Sequence, residues 1–273
     1  MFRPLSWVLL LAFVAAPAWA LQVSATVPVT PVAHAFGQTC RVFAGKFVQL
    51  TTKSGLTFDV YRTGPRAATL GVLLLPGKSG LNAAMLAWAD RIGAQGYRVA
   101  AMGLRHKPTL NPAQSHSGSQ SRSVQRERAA IHYLVAPGRK IVTLGWGRTG
   151  ALLSLEASVA DPFDVSGTVL YNGGLSAPVT LLKQLKSLVL LVTFHKTTPL
   201  AKLQAFEGHM RFYGKPLIVH YYDMDPKAVD PTGPDHGSAV ALEVWNQARL
   251  FFHRVRTLCR RCAPYPRYLF RYH

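Results

Sequence analysis

The stretch Ile141-Val142-Thr143-Leu144-Gly145-Trp146-Gly147-Arg148-Thr149-Gly150-Ala151-Leu152-Leu153 sets the interpretation of the whole chain. A short β-branched, apolar run breaks at glycines and passes straight into an Ala/Leu stretch, which predicts a buried strand, a sharp turn and a helix. That is the shape of a nucleophile elbow: the apex residue sits in a strained conformation, and its neighbours are small because other strands press close. Gly145 supplies the first small residue, and Thr149-Gly150 stand where the later ones belong. The apex itself is Gly147, where the chemistry asks for Ser or Cys, and a hydrogen side chain cannot attack a carbonyl. Glycine-rich strand-to-helix turns also bind phosphates and dinucleotides, so the remainder of the chain has to decide between these uses.

Upstream, Val72-Leu73-Leu74-Leu75 is a continuous apolar run of the buried-strand kind, Ala83 to Gln95 has helical period, and Tyr97 to Met102 is a second strand. Together they form a βαβ unit, whose crossover makes its strands parallel. The rhythm continues with a helix around Ser123 to Leu134, strand Ile141 to Leu144, helix Gly150 to Val159 and strand Thr168 to Tyr171. After these come strand Leu188 to Val192, helix Leu200 to Phe212, strand Leu217 to Tyr222 and a closing helix Ala239 to Val255. Ahead of the unit, Phe47 to Thr51 and Leu56 to Tyr61 flank Lys53-Ser54-Gly55 as a β-hairpin. The fold class this predicts is α/β: an open, mostly parallel sheet with helices on both faces. Lys107 to Arg122, with Pro108, Pro112 and a Ser/Gln/His/Gly cluster, leaves a strand end and reads as a surface loop near the ligand-binding edge.

The ends of the chain read differently. Residues 1–20 carry Arg3, an apolar run from Trp7 to Ala16 and the ending Ala18-Trp19-Ala20, the pattern of a cleaved export signal. Residues 21–45, rich in Pro, Val, Thr and Ala, form an extended arm, and residues 257–273 a basic Cys/Tyr/Pro tail. Export to the periplasm or the outside permits disulfides among Cys40, Cys259 and Cys262. With an odd count, either Cys259 and Cys262 close locally or Cys40 ties the arm to the tail. A zinc site needs more ligands than that neighbourhood offers, so neither metal nor cofactor is expected.

A formal charge of +19, from 31 Lys+Arg against 12 Asp+Glu, reflects scarce acids rather than a lysine tail. It suits an anionic partner or peripheral contact with an anionic surface, or else adaptation to an acidic exterior. Nucleic-acid motifs and aromatic-basic repeats are absent from the sequence, so specific nucleic-acid binding is not expected.

Several short motifs, in order, carry a resemblance to a known family. They are Leu75-Pro76-Gly77-Lys78-Ser79-Gly80-Leu81-Asn82 at the first βα turn, Gly96-Tyr97-Arg98-Val99, and the elbow at Gly145 to Gly150. Tyr171-Asn172-Gly173-Gly174 and Pro234-Asp235-His236-Gly237 complete the set. On these, the chain resembles the dienelactone hydrolase family of the α/β-hydrolase superfamily as a degenerate member, with residues 46–256 as the domain. The resemblance implies a nucleophile, an acid and a histidine, with two backbone amides as an oxyanion hole. His236 takes the histidine's place and Gly147 the vacant nucleophile's. The acid's place follows Leu188 to Val192 and reads Thr193-Phe194-His195-Lys196-Thr197-Thr198, with no carboxylate between Asp164 and Glu207. The amides of Lys78 and Arg148 keep the oxyanion positions.

These residues support a pseudoenzyme in which Lys78, Ser79, Arg148 and Thr149 bind a small anionic ligand or acidic partner at the former active site. Arg105, His106, Lys107, His195 and Lys196 are expected to add charge at the same strand ends, beside a helix terminus that favours anions. The alternative is an active ester or lactone hydrolase with rearranged catalytic residues around His236, oriented by Asp235 or Asp225 or using Ser79 or Thr149 as a displaced nucleophile. A third reading is a basic surface binder whose cleft is irrelevant, which would show steep salt dependence.

Overall fold

The uninterrupted apolar runs become strands buried from both sides, because helices cover each face of the sheet they form. A computed structural model describes residues 43–103, 122–229, 239–258 and 268–272, the last by backbone alone. The export signal, most of the arm, Lys107 to Ser121, the motif around His236 and all three cysteines lie outside the described residues. The chain divides after Arg41, and the unit from Val42 onward carries the sheet.

The strands are β1 (Lys46–Thr51), β2 (Thr57–Thr63), β3 (Leu70–Leu75), β4 (Arg98–Met102), β5 (Lys140–Trp146), β6 (Val165–Tyr171), β7 (Leu188–Phe194), β8 (Leu217–Tyr222) and β9 (Tyr268–Tyr272). They lie in the order β1-β2-β4-β3-β5-β6-β7-β8-β9. β1 and β2 form the expected antiparallel hairpin, β2 runs antiparallel to β4, and every later pairing is parallel. The helices are α1 (Ala83–Ala94), α2 (Arg122–Leu134), α3 (Gly147–Ala160), α4 (Val179–Gln184), α5 (Leu200–Phe212) and α6 (Ala239–Thr257).

Alternation along the strands sorts the core into two layers. Val72, Leu74, Val142, Leu144, Leu190, Val192 and Phe194 face α1 and α6 through Trp88, Ile92, Trp245 and Phe252. Leu73, Leu75, Ala100 and Met102 face the opposite way, against Ala130, Ile131 and Leu134 of α2. Leu170, Val189, Leu191 and Val219 continue that layer against α3, α4 and α5. Each fully buried Leu, Val or Phe contributes roughly 1.5–3 kcal/mol, so the two layers together fix the sheet that presents the elbow.

Three differences from the sequence reading have physical causes. Helix α3 begins at Gly147 rather than Gly150, because a left-handed φ of 63° at Gly147 turns strand into helix with no intervening loop. The short helix α4 is not predicted, as its six residues give too little periodicity to read. Strand β9 pairs with β8 from within the segment read as a tail, because its five residues show no alternation and follow a Cys/Pro/Arg-rich run. At the other end, Ala44 and Gly45 of the expected arm are pinned by backbone N–H donation to Asp90 Oδ2 (2.8 Å) and Tyr61 Oη (2.7 Å).

Candidate functional site

The elbow is assembled from glycines whose neighbours leave no room for a side chain. A Cβ on Gly145 would lie 2.1 Å from the Gly150 carbonyl oxygen, and one on Gly150 would lie 2.3 Å from that of Leu75. A Cβ on Gly173, after β6, would lie 2.3 Å from the Gly147 carbonyl oxygen. The second obligatory small residue is therefore Gly150, which explains why Thr149 is tolerated beside it with an exposed side chain. Gly147 differs: a Cβ there meets nothing nearer than the Gly77 Cα at 3.9 Å. The apex has space for a side chain and carries none.

Below the apex, α3 is tied to the sheet by buried hydroxyls. Ser154 Oγ donates to Thr143 Oγ1 (2.8 Å), which is 3.0 Å from Ser158 Oγ. Ser158 continues to Thr168 Oγ1 (2.5 Å), and Thr168 to Ser187 Oγ (2.7 Å). These small side chains let α3 approach β5 and β6 closely while every hydroxyl keeps a partner. Beside the apex, Trp146 stacks on Tyr171 with centroids 4.2 Å apart, and Trp88 meets both edge-on. This aromatic cluster makes a rigid wall. Burial raises the Tyr171 phenol well above its ordinary range, so it stays neutral there.

Lys78, Ser79, Gly147, Arg148 and Thr149 lie around one cavity of about 280 Å³, with Gly77, Gly80, Asn82, Met85 and Trp146 completing its wall. Lys78 and Arg148 are exposed at its mouth. Trp146 gives α3 no side-chain cap, and the first turn of α3 holds no acid. The amino-terminal N–H groups of α3 thus have no capping side chain, and its dipole favours negative charge there. Sequence reasoning misses Met85, because its place in the α1 period marks it simply as core. A larger cavity of about 750 Å³ lies between the β1–β2 turn and α2, and none of the expected site residues lines it.

The end of β7 holds no acid. Thr193 and Thr198 share a hydrogen bond of 2.6 Å, and Thr197 donates to Asn172 Oδ1 at 2.7 Å. Asn172 has a left-handed φ of 54° and braces the turn after β6 instead of lining the cavity. His195 lies 3.6 Å from Asp223 at the end of β8, both exposed, and neither His195 nor Lys196 lines the elbow cavity. Asp225 accepts the Lys227 backbone N–H at 2.9 Å and caps a short 3-10 turn. His236, Asp235, Arg105, His106 and Lys107 fall outside the described residues. Among the described residues no three His, Cys, Asp or Glu side chains group as metal ligands.

No family model matches the chain, and no curated protein matches its sequence. Solved structures do. A dienelactone hydrolase-like promiscuous phosphotriesterase from metagenomic libraries is similar at 20% identity and a TM-score of 0.58, over 78% of this chain and 99% of its own. A dienelactone hydrolase-type protein from Klebsiella pneumoniae gives 13% and 0.60, over 78% and 100%. An esterase from Pyrococcus furiosus gives 14% and 0.58, over 82% and 96%. With its mostly parallel sheet, flanking helices and strand-to-helix elbow, the chain has the α/β-hydrolase fold in the form shared by dienelactone hydrolase-like proteins and esterases.

Proposed function

We propose that the protein is an exported, non-catalytic relative of the dienelactone hydrolases that binds a small anionic ligand, or the acidic group of a partner, in the elbow chamber. The observation that carries this reading is the apex: Gly147 has room for a nucleophile and supplies no reacting atom. Lys78, Arg148 and the uncapped start of α3 meet around that space. Loss of the nucleophile removes several orders of magnitude of turnover, while anion recognition by backbone N–H groups survives it. The carboxylate-free end of β7 agrees with the same loss.

Thermal unfolding of the full chain with phosphate, sulfate and acetate tests the proposal. At least one of these anions stabilises the wild-type protein by a few degrees, and Arg148→Ala removes the shift. Absence of stabilisation by any of them, or an equal shift in Arg148→Ala, contradicts it.

A further inference from the structure

Next to the elbow chamber lies a second cavity, of about 560 Å³, with Ser79 and Asn82 on the rim of both. Its walls come from the hairpin (Phe47, Phe58, Asp59), from Leu81 in the first βα turn and from Arg126 of α2. Phe47 is 56% exposed on the edge strand, with its ring edge-on to Tyr61 at a centroid distance of 5.4 Å.

Arg126 is the notable member. It is half-buried, its Nε is shut off from solvent with no acceptor, and its side chain makes no hydrogen bond or ion pair among the described residues. A buried guanidinium N–H without an acceptor is costly, and the planar fork of donors, its outer nitrogens open to the cavity, matches a carboxylate. Glu127, next along α2, feels the charge of Arg126 but makes no hydrogen bond or ion pair with it. Burial, with Glu156 of α3 adding to it, pushes its carboxyl up to about 8. Asp59 stands on the exposed rim and forms no ion pair with Arg126.

We propose that this outer chamber is a second anion site, in which Arg126 holds the acidic group of an aromatic carboxylate whose ring packs on Phe47 and Leu81. It rests on Arg126 and its cavity, and stands whether or not the elbow chamber binds an anion.

Titration calorimetry on the full chain, with naphthoate against the neutral isostere naphthalenemethanol, provides the test. The acid binds at least about tenfold more tightly than the alcohol. Arg126→Gln weakens the acid at least about tenfold, Arg126→Lys weakens it less because charge remains without the fork, and Lys202→Gln, distant on α5, leaves it unchanged. Circular dichroism confirms that each variant is folded, and Arg126→Lys carries the test if Arg126→Gln is not. No binding of naphthoate, equal binding of the alcohol, or full affinity in Arg126→Gln overturns the proposal. If Arg148→Ala abolishes binding while Arg126→Gln does not, the acid sits in the elbow chamber: the outer site is then refuted and the anion reading of the elbow chamber stands.

Discussion

The underside of α3 and its amino-terminal end are built to different standards. Underneath, the hydroxyls of Thr143, Ser154, Ser158, Thr168 and Ser187 are buried and partnered, and glycines at 145, 150 and 173 allow backbone contacts that no other residue permits. At the amino-terminal end the apex is open, two cations are exposed and the helix has no side-chain cap. The packing that would hold a nucleophile in place is intact, while the side chain it would hold is absent. Constraint on the scaffold and constraint on the chemistry are therefore separable in this molecule.

Substitution at the glycines separates the two ends most severely. Gly150→Ala forces a Cβ against the Leu75 carbonyl oxygen, and chemical denaturation should show a loss of about 4 kcal/mol or more. Gly147→Ala meets no such contact and carries only the cost of a left-handed φ, about 1 kcal/mol. Equal losses at the two positions would show that apex and scaffold are under the same steric constraint.

The next effect is in pH. Glu127 has an ordinary carboxyl value of 4.5 that burial pushes up to about 8. Between those values the folded chain holds the proton that the unfolded chain releases. The stability this confers is full below about 4.5, declines as pH rises and is lost by about 8. Glu127→Gln should flatten that decline and raise stability near pH 9 by roughly 2–3 kcal/mol relative to the wild type. An unchanged pH profile would show that Glu127 ionises normally.

A smaller effect is expected beneath the helix. Ser158→Ala leaves the hydroxyls of Thr143 and Thr168 each short of a partner and should cost about 1–2 kcal/mol in denaturant. Little or no cost would mean that the hydroxyl chain does not secure α3.

Much of this architecture is legible in the sequence because it depends on local pattern. The runs at Val72 to Leu75 and Leu188 to Val192, the hairpin around Ser54 and the vacant apex at Gly147 all follow from apolar periodicity and glycine placement. Periodicity places the start of α3 three residues late, because a positive φ, not composition, sets it. Arg126 escapes sequence reasoning because Arg122, Arg126 and Arg128 look alike on paper, and the fold alone decides which of them meets the outer cavity. The end of β7 illustrates both sides: the absence of an acid is readable, whereas the pairing of His195 with Asp223 needs the register of β7 against β8.

The proposed loss of acyl-enzyme chemistry makes a sharp prediction for the hydrolysis of a short activated ester. The wild-type protein, Gly147→Ser and His236→Ala should all run at the rate of buffer, since a serine at the apex gains no acid from the end of β7. Wild-type turnover above buffer that His236→Ala abolishes would contradict this and make the protein a working hydrolase.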